Sequence, residues 1–396
     1  MTQAPLNKIN AVMGLLMVCV VVMTSCSGHL LTSPQPLTPT SSPSGVPTAT
    51  SLPSPTVTST FTPKPAGTAT LTSELTVPAT AKTEAPAQAR EYLVFVSDQI
   101  YMVDAQCVQE PMGCEHSWIR LTDTPKRRRE FRTVSRGVTV SPDGRFLAFA
   151  YSADEKADED LVYSGWDIYF LDIQECQSLP RGCPPERFKR LTTQPTMETN
   201  PAWSPSGDKI VFVSFAPRFP EHLMVMNADG SQMRLLALRE SREPIPGFFP
   251  SWAPDSDHLA YNEALQQYVH PDLRVNVVDL AGSEIKHLTN PVHSEPDNRE
   301  DWHPYWSPDG AKIVFTRRYR DDSDGIYLID SAGGKATRID NQECSSALAW
   351  SPDSTRIICD GEKGTAIMDI DGKNLQWLMA PEHAISGLVW MTISGY

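Results

Sequence analysis

Downstream of residue 90 the chain is written in short apolar runs separated by turn-forming residues. Five segments share one frame: Val138-Thr-Val-Ser-Pro-Asp-Gly144, Pro201-Ala-Trp-Ser-Pro-Ser-Gly207, Pro250-Ser-Trp-Ala-Pro-Asp-Ser256, Pro304-Tyr-Trp-Ser-Pro-Asp-Gly310 and Leu348-Ala-Trp-Ser-Pro-Asp-Ser354. Each precedes an apolar run, such as Phe146-Leu-Ala-Phe149, Ile210-Val-Phe-Val213 or Ile313-Val-Phe-Thr316. Ser-Pro-Asp-Gly suits a tight hairpin, because Pro presets φ, Asp bonds its own backbone and Gly accepts positive φ. A second pair of runs follows, as in Ile326-Tyr-Leu-Ile-Asp330, Ala332-Gly-Gly334 and Thr337-Arg-Ile339, again with hairpin signals between them. Each repeat therefore predicts four antiparallel strands in about 40 to 65 residues, the unit of a β-propeller blade. Runs such as Ile210–Val213 are apolar on both faces, as expected of a sheet stacked between two neighbours.

The ends of the repeat array predict how it closes. Tyr92-Leu-Val-Phe-Val96, Ile100-Tyr-Met-Val-Asp104 and Trp118-Ile-Arg-Leu-Thr122 supply strands two to four of a blade that has no first strand before them. Leu388-Val-Trp390 matches the frame of Leu348-Ala-Trp350 with no further blade after it. The C-terminal strand is expected to complete the first blade, giving an all-β fold of six blades without free edges.

These motifs resemble the repeats of the TolB C-terminal propeller over about residues 91–396. The resemblance implies the fold well and the function poorly, since similar repeats serve many roles. TolB carries a small α/β domain before its propeller. Here that place is expected to hold a leader and a stalk, which argues against a direct role in the Tol system.

The first 25 residues show one cation, Lys8, then an apolar run from Ala11 to Met23 and small residues before Cys26. That is the pattern of a signal peptide. Its end resembles a bacterial lipobox, in which Cys26 would become the lipidated first residue; an ordinary signal peptide or uncleaved anchor is the alternative. Residues 26–90 are rich in Ser, Thr and Pro and hold eleven of the 34 prolines. Such a segment builds no core and reads as a disordered, semi-rigid spacer with an extended reach of about 200 Å. The organisation expected is thus a leader over 1–25, a linker over 26–90 and a propeller over 91–396.

Composition narrows the function classes. A formal net charge of −14 opposes electrostatic coating of nucleic acid. Eight cysteines include Cys19 in the leader, Cys26, and three spaced sets: Cys107 with Cys114, Cys176 with Cys183, and Cys344 with Cys359. The identical spacing of the first two sets reads as stapled hairpin loops, and the third flanks a hairpin. Disulfides fit an oxidising, extracytoplasmic setting, whereas a zinc site lacks any Cys-x₂-Cys spacing.

The loops between strands two and three, and those joining blades, hold the long excursions and make one face the candidate site. There Lys126, Arg127, Arg128 and Arg129, with Arg132 and Arg136, form a basic knot, and Arg317, Arg318 and Arg320 sit on the same predicted face. An anionic partner is the functional interpretation and a solvated charge run the bland one. Phe248, Phe249, Trp302 and Tyr305 are candidates for an aromatic platform or for packing. Trp203, Trp252, Trp306, Trp350 and Trp390 keep the repeat period and read as core. Glu198, Asn200 and His303 are the residues from which an axial metal site would be built, and no Gly-x-Ser-x-Gly elbow is present. The expectation is a monomeric, non-catalytic binding propeller without cofactor, held outside the membrane through Cys26. Its partner would be an envelope or extracellular protein or glycan; a metal-dependent lyase or lactonase is the alternative.

Overall fold

The computed structural model describes residues 90–110, 113–115, 117–125, 134–153, 165–215, 221–239, 241, 243–264, 273–290, 299–319, 324–339, 341–381, 383, 385 and 387–393. The leader, Cys26, the linker and the basic knot at Arg127, Arg128 and Arg129 lie outside the described residues. Among the described residues, 24 strands form six four-stranded antiparallel sheets. Blade one has the order β24 (Gly387–Ile393), β1 (Arg90–Val96), β2 (Ile100–Asp104), β3 (Ile119–Arg120). The C-terminal strand therefore closes the first blade, in register from Arg90 opposite Ile393 to Val96 opposite Gly387.

Blades two to six begin with β4 (Val134–Val140), β8 (Met197–Trp203), β12 (Phe248–Trp252), β16 (Arg299–Trp306) and β20 (Ser346–Trp350). These first strands touch one another from blade to blade all the way round, so they are the inner strands of a closed ring. The core lies between blades. Phe95, Phe149, Phe212, Tyr261 and Phe315 stand at the same register of five second strands and are fully buried. Burying each contributes about 1.5–3 kcal/mol. In blade six Cys359 takes that place, joined to Cys344.

The repeat signatures have identifiable mechanical roles. In the Ser-Pro-Asp turns, Ser141, Ser307 and Ser351 donate through Oγ to Asp143, Asp309 and Asp353 at 2.5, 2.6 and 2.5 Å. These bonds help hold the three carboxyls below their ordinary range. The recurrent Leu-Thr ends a blade. Thr122, Thr192 and Thr289 accept the N–H groups of Ile100, Ile168 and Val275 at 3.0, 2.9 and 3.0 Å, tying the end of strand four to the start of strand three.

All five tryptophans of the series belong to or pack against the core clusters, but they differ in burial and in partner. Trp252 and Trp350 are buried and donate to Ala202 O and Tyr305 O of the preceding blade, at 2.9 and 3.0 Å. Trp203 and Trp306 are half-buried and donate instead to Gly207 O and Gly310 O of their own turns, both at 3.1 Å. Trp390 is also half-buried and donates to Glu91 at 3.0 Å.

Three disulfides close: Cys107–Cys114, Cys176–Cys183 and Cys344–Cys359. The first two staple the connections between strands three and four of blades one and two, where the chain makes short helical turns. Three disulfides suit a protein of an oxidising, extracytoplasmic compartment.

Candidate functional site

The inner strands β4, β8, β12, β16 and β20 each carry a bulge, which in β8 and β16 lies at mid-strand. In blades three, four and five the bulge is an X-Pro pair, Asn200-Pro201, Phe249-Pro250 and His303-Pro304, with X at φ 52, 49 and 51°. A bulky residue such as phenylalanine rarely adopts that conformation, so the backbone here is held against its local preference. Bulges of neighbouring strands meet. A Cβ added to Gly137, the positive-φ residue of β4, would lie 2.9 Å from Asn200 Cα, and one on Gly387 would lie 3.4 Å from Gly137 N. On the other side of the ring, the Phe249 and His303 rings meet edge to face at 4.2 Å. The bulge level thus has a glycine side at blades one and two and an aromatic side at blades four and five.

Phe248, Phe249 and Trp302 are brought together there, with ring centroids 6.3 and 6.1 Å apart in sequence of contact, and His303 joins them. The Arg318 guanidinium lies over Trp302 at 5.3 Å, and its Nε is 3.6 Å from Asp324. The indole N–H of Trp302 donates to Glu300 at 2.9 Å. Rings with exposed area, one cation and two carboxylates are chemistry for recognition. Buried Asn262, absent from the sequence-based set, fixes this cluster: its Oδ1 accepts the His303 N–H at 2.9 Å and its Nδ2 donates to Asp301 O at 2.8 Å. Tyr305 belongs elsewhere. It packs with the hydrophobic cluster between blades five and six, and burial pushes its hydroxyl up to about 12.

Arg317 and Glu198 are interior residues. Arg317 is 6% exposed and donates to Asp301, itself 0% exposed, through Nε and Nη2 at 2.6 and 3.0 Å. Its charge is matched inside the blade, and its guanidinium lies 4.5 Å from the Tyr327 ring centre. Glu198 occupies in β8 the place that Asp301 occupies in β16, two residues before the bulge. Opposite it stands Ser214 rather than an arginine. Among the described residues only hydroxyls reach it: Thr196 Oγ1, Thr192 Oγ1 at 3.4 Å and Ser214 Oγ at 3.5 Å. Burial therefore pushes its carboxyl up to about 7, helped by nearby Asp167. Asp167 is paired with Arg190 at 2.7 Å.

Glu198 and His303 lie on different blades with different partners, and among the described residues no three His, Cys, Asp or Glu side chains are grouped to hold a metal. Asp360, at the end of strand two of blade six, is another carboxyl raised by burial, to about 6. Asp301 could have been singled out beside Glu198 by aligning inner strands across blades, since each stands two residues before a bulge.

No protein-family model matches the chain. Among solved structures it is similar to TolB from Acinetobacter baumannii, at 14% identity and a TM-score of 0.54 over 77% of this chain and 67% of that one. A chain of the nidogen/laminin complex matches at 9% identity and a TM-score of 0.51, over 77% and 99%. A putative TolB from Agrobacterium tumefaciens matches at 14% identity and a TM-score of 0.48, over 77% and 99%. At such identities the likeness is one of fold. The chain is a TolB-like six-bladed β-propeller.

Proposed function

We propose that this protein is a non-catalytic binding propeller, anchored by a lipid on Cys26 and set away from the membrane by its Ser/Thr/Pro-rich stalk. It engages an envelope or extracellular protein or glycan on its long-loop face. The observation that carries this is the half-buried aromatic set Phe248, Phe249, Trp302 and His303, with Arg318 over Trp302 and with Phe249 and His303 held in positive-φ bulges. Half-buried rings on a rigid strand scaffold present area to a partner at little cost in side-chain entropy. The stapled loops and the closed ring supply that rigidity.

The test uses the full chain in its native membrane. Partners are crosslinked and compared between the wild type and Trp302→Ala with Arg318→Glu. A partner captured by the wild type and lost in this variant, with thermal unfolding unchanged, supports the proposal; an identical partner set in both overturns it. For the anchor, Cys26→Ala is expected to move the protein from the membrane fraction to the soluble extracytoplasmic fraction.

A further inference from the structure

The cysteines of the propeller all lie in blades one, two and six, with none between residues 183 and 344. Those three blades meet where the ring closes without a peptide link. There β24, which continues from blade six, pairs with β1, whose blade leads on into blade two. A ring opens most readily at such a seam, because only a hydrogen-bonded ladder and side-chain packing have to part.

The Cys107–Cys114 loop reaches across this seam. It joins β2 to β3 and so belongs to the blade-two side, yet its helical turns, Ala105–Gln109 and Gly113–Glu115, touch the outer strand β23 (Gln376–Met379) of blade six. Val108 and Cys114 of the loop are buried in one cluster with Ile367, Leu378 and Met379 of blade six. Trp118, which follows the loop, donates its indole N–H to Cys114 O, and its ring meets that of His383, on the way to β24, at 4.8 Å. The disulfide holds the two turns together, so it sets how firmly blade one grips blade six.

The other two bridges brace the seam from either side and are sealed. Cys183 ties blade two to blade one: its N–H donates to Leu121 O at 2.9 Å and its C=O accepts from Asp123 N at 2.8 Å. Cys344–Cys359 lies within blade six. Cys176, Cys183, Cys344 and Cys359 are buried, whereas Cys107 is only half-buried. Thiol–disulfide exchange needs access to a sulfur, so in the folded protein the attack falls on Cys107.

We infer that Cys107–Cys114 is a redox-sensitive latch on the ring, opened by an extracytoplasmic dithiol reductant. A thiolate of the reductant attacks Cys107 Sγ, the bond to Cys114 breaks, and Cys114 leaves as a thiolate that takes up a proton. The second thiol of the reductant then loses its proton and displaces Cys107, which is protonated in turn. Two cysteine thiols are formed and the dithiol becomes a disulfide. With the loop unlocked, its grip on β23 weakens and the β24–β1 ladder opens more often. A protein disulfide oxidant reverses the exchange and reseals the ring. The latch depends neither on the aromatic set nor on the lipid anchor.

The experiment titrates the full-length protein with mixtures of reduced and oxidised dithiothreitol. Thiol trapping is read by mass spectrometry, and hydrogen exchange of the Leu388–Ile393 amides is followed in parallel. Cys107 and Cys114 are expected to be trapped first, while the other bridges are intact. At that point the Leu388–Ile393 amides should exchange about fivefold faster or more, with those of Ile210–Val213 unchanged, and reoxidation should restore slow exchange. Cys107→Ala with Cys114→Ala should exchange fast from the start and ignore the mild reductant; should that variant not fold, the wild-type titration decides. Earlier trapping of another pair, unchanged exchange once Cys107 and Cys114 are reduced, or a folded variant that still responds at the same reductant level overturns the inference.

Discussion

Ser256 accepts, through its Oγ, a hydrogen bond from the backbone N–H of Ser206 in the preceding blade, at 2.8 Å. Ser354 does the same for Asp309 at 3.0 Å. Both serines sit at the turn position where other blades have Gly144, Gly207 and Gly310, and both adopt positive φ, 60 and 61°. A side chain at that conformation costs stability, and here a bond between blades offsets it. Glycine is kept at position 310, where an added Cβ would lie 3.2 Å from Pro254.

Ser256→Ala keeps the backbone cost and deletes the bond, while Ser256→Gly deletes both. Alanine is expected to destabilise by about 1–2 kcal/mol and glycine by roughly half of that or less. Urea denaturation ranks the two variants. Equal losses would show that the positive φ carries no cost.

How much of this was legible in the chain follows from what repeats encode. The turn at Pro142, Pro205, Pro254, Pro308 and Pro352 recurs because each blade needs it, so blade number and closure by Leu388–Ile393 could be counted. Pairing across strands is not written in the same way. Arg317 reads as one of three surface arginines until Asp301 is seen opposite it, and Glu198 reads as a ligand until Ser214 is seen opposite it.

The contrast between Glu198 and Asp301 sets a pH dependence. The folded Glu198 carboxyl is raised to about 7 from its ordinary 4.5, so the folded state binds more protons than the unfolded state between those values. Its contribution is fully present below the unfolded value and is lost as pH rises through about 7. Glu198→Gln keeps a group that the three hydroxyls can bond and removes the titration. The variant is expected to match the wild type near pH 5 and exceed it by roughly 2 kcal/mol near pH 8. Thermal midpoints measured across that range test this; parallel curves for the two proteins would mean that Glu198 is ionised throughout.

Asp301 and Arg317 behave as a unit. Asp301→Asn strands a buried guanidinium and should cost about 3–5 kcal/mol, whereas Asp301→Leu with Arg317→Met removes both charges and should cost far less. Because Asp301 O also accepts from Asn262, whose Oδ1 holds the His303 N–H, strain introduced at Asp301 should reach the aromatic set. Chemical denaturation of the single and double variants measures the coupling. A double variant no more stable than the single one would mean that the pair's geometry, rather than its charge balance, holds the bulge.

The disulfides should differ in weight. Cys107–Cys114 spans seven residues within one stapled connection, and Cys107 is partly exposed. Cys344–Cys359 spans 15, and both sulfurs are buried. Doubling the loop adds about 0.6 kcal/mol of chain entropy. Burial adds more, because Cys359 fills the place that a buried aromatic fills in the other blades, and polar serines there would be desolvated. Replacing Cys344 and Cys359 by serine is therefore expected to cost at least the 2–4 kcal/mol typical of a disulfide, and replacing Cys107 and Cys114 less. The effect should be felt at the closure, since blade six packs against the closing strand β24. Hydrogen exchange of the Leu388–Ile393 amides, followed in both double variants, gives the comparison. Faster exchange in the Cys107/Cys114 variant than in the Cys344/Cys359 variant would place the weak point of the ring at the stapled loop instead.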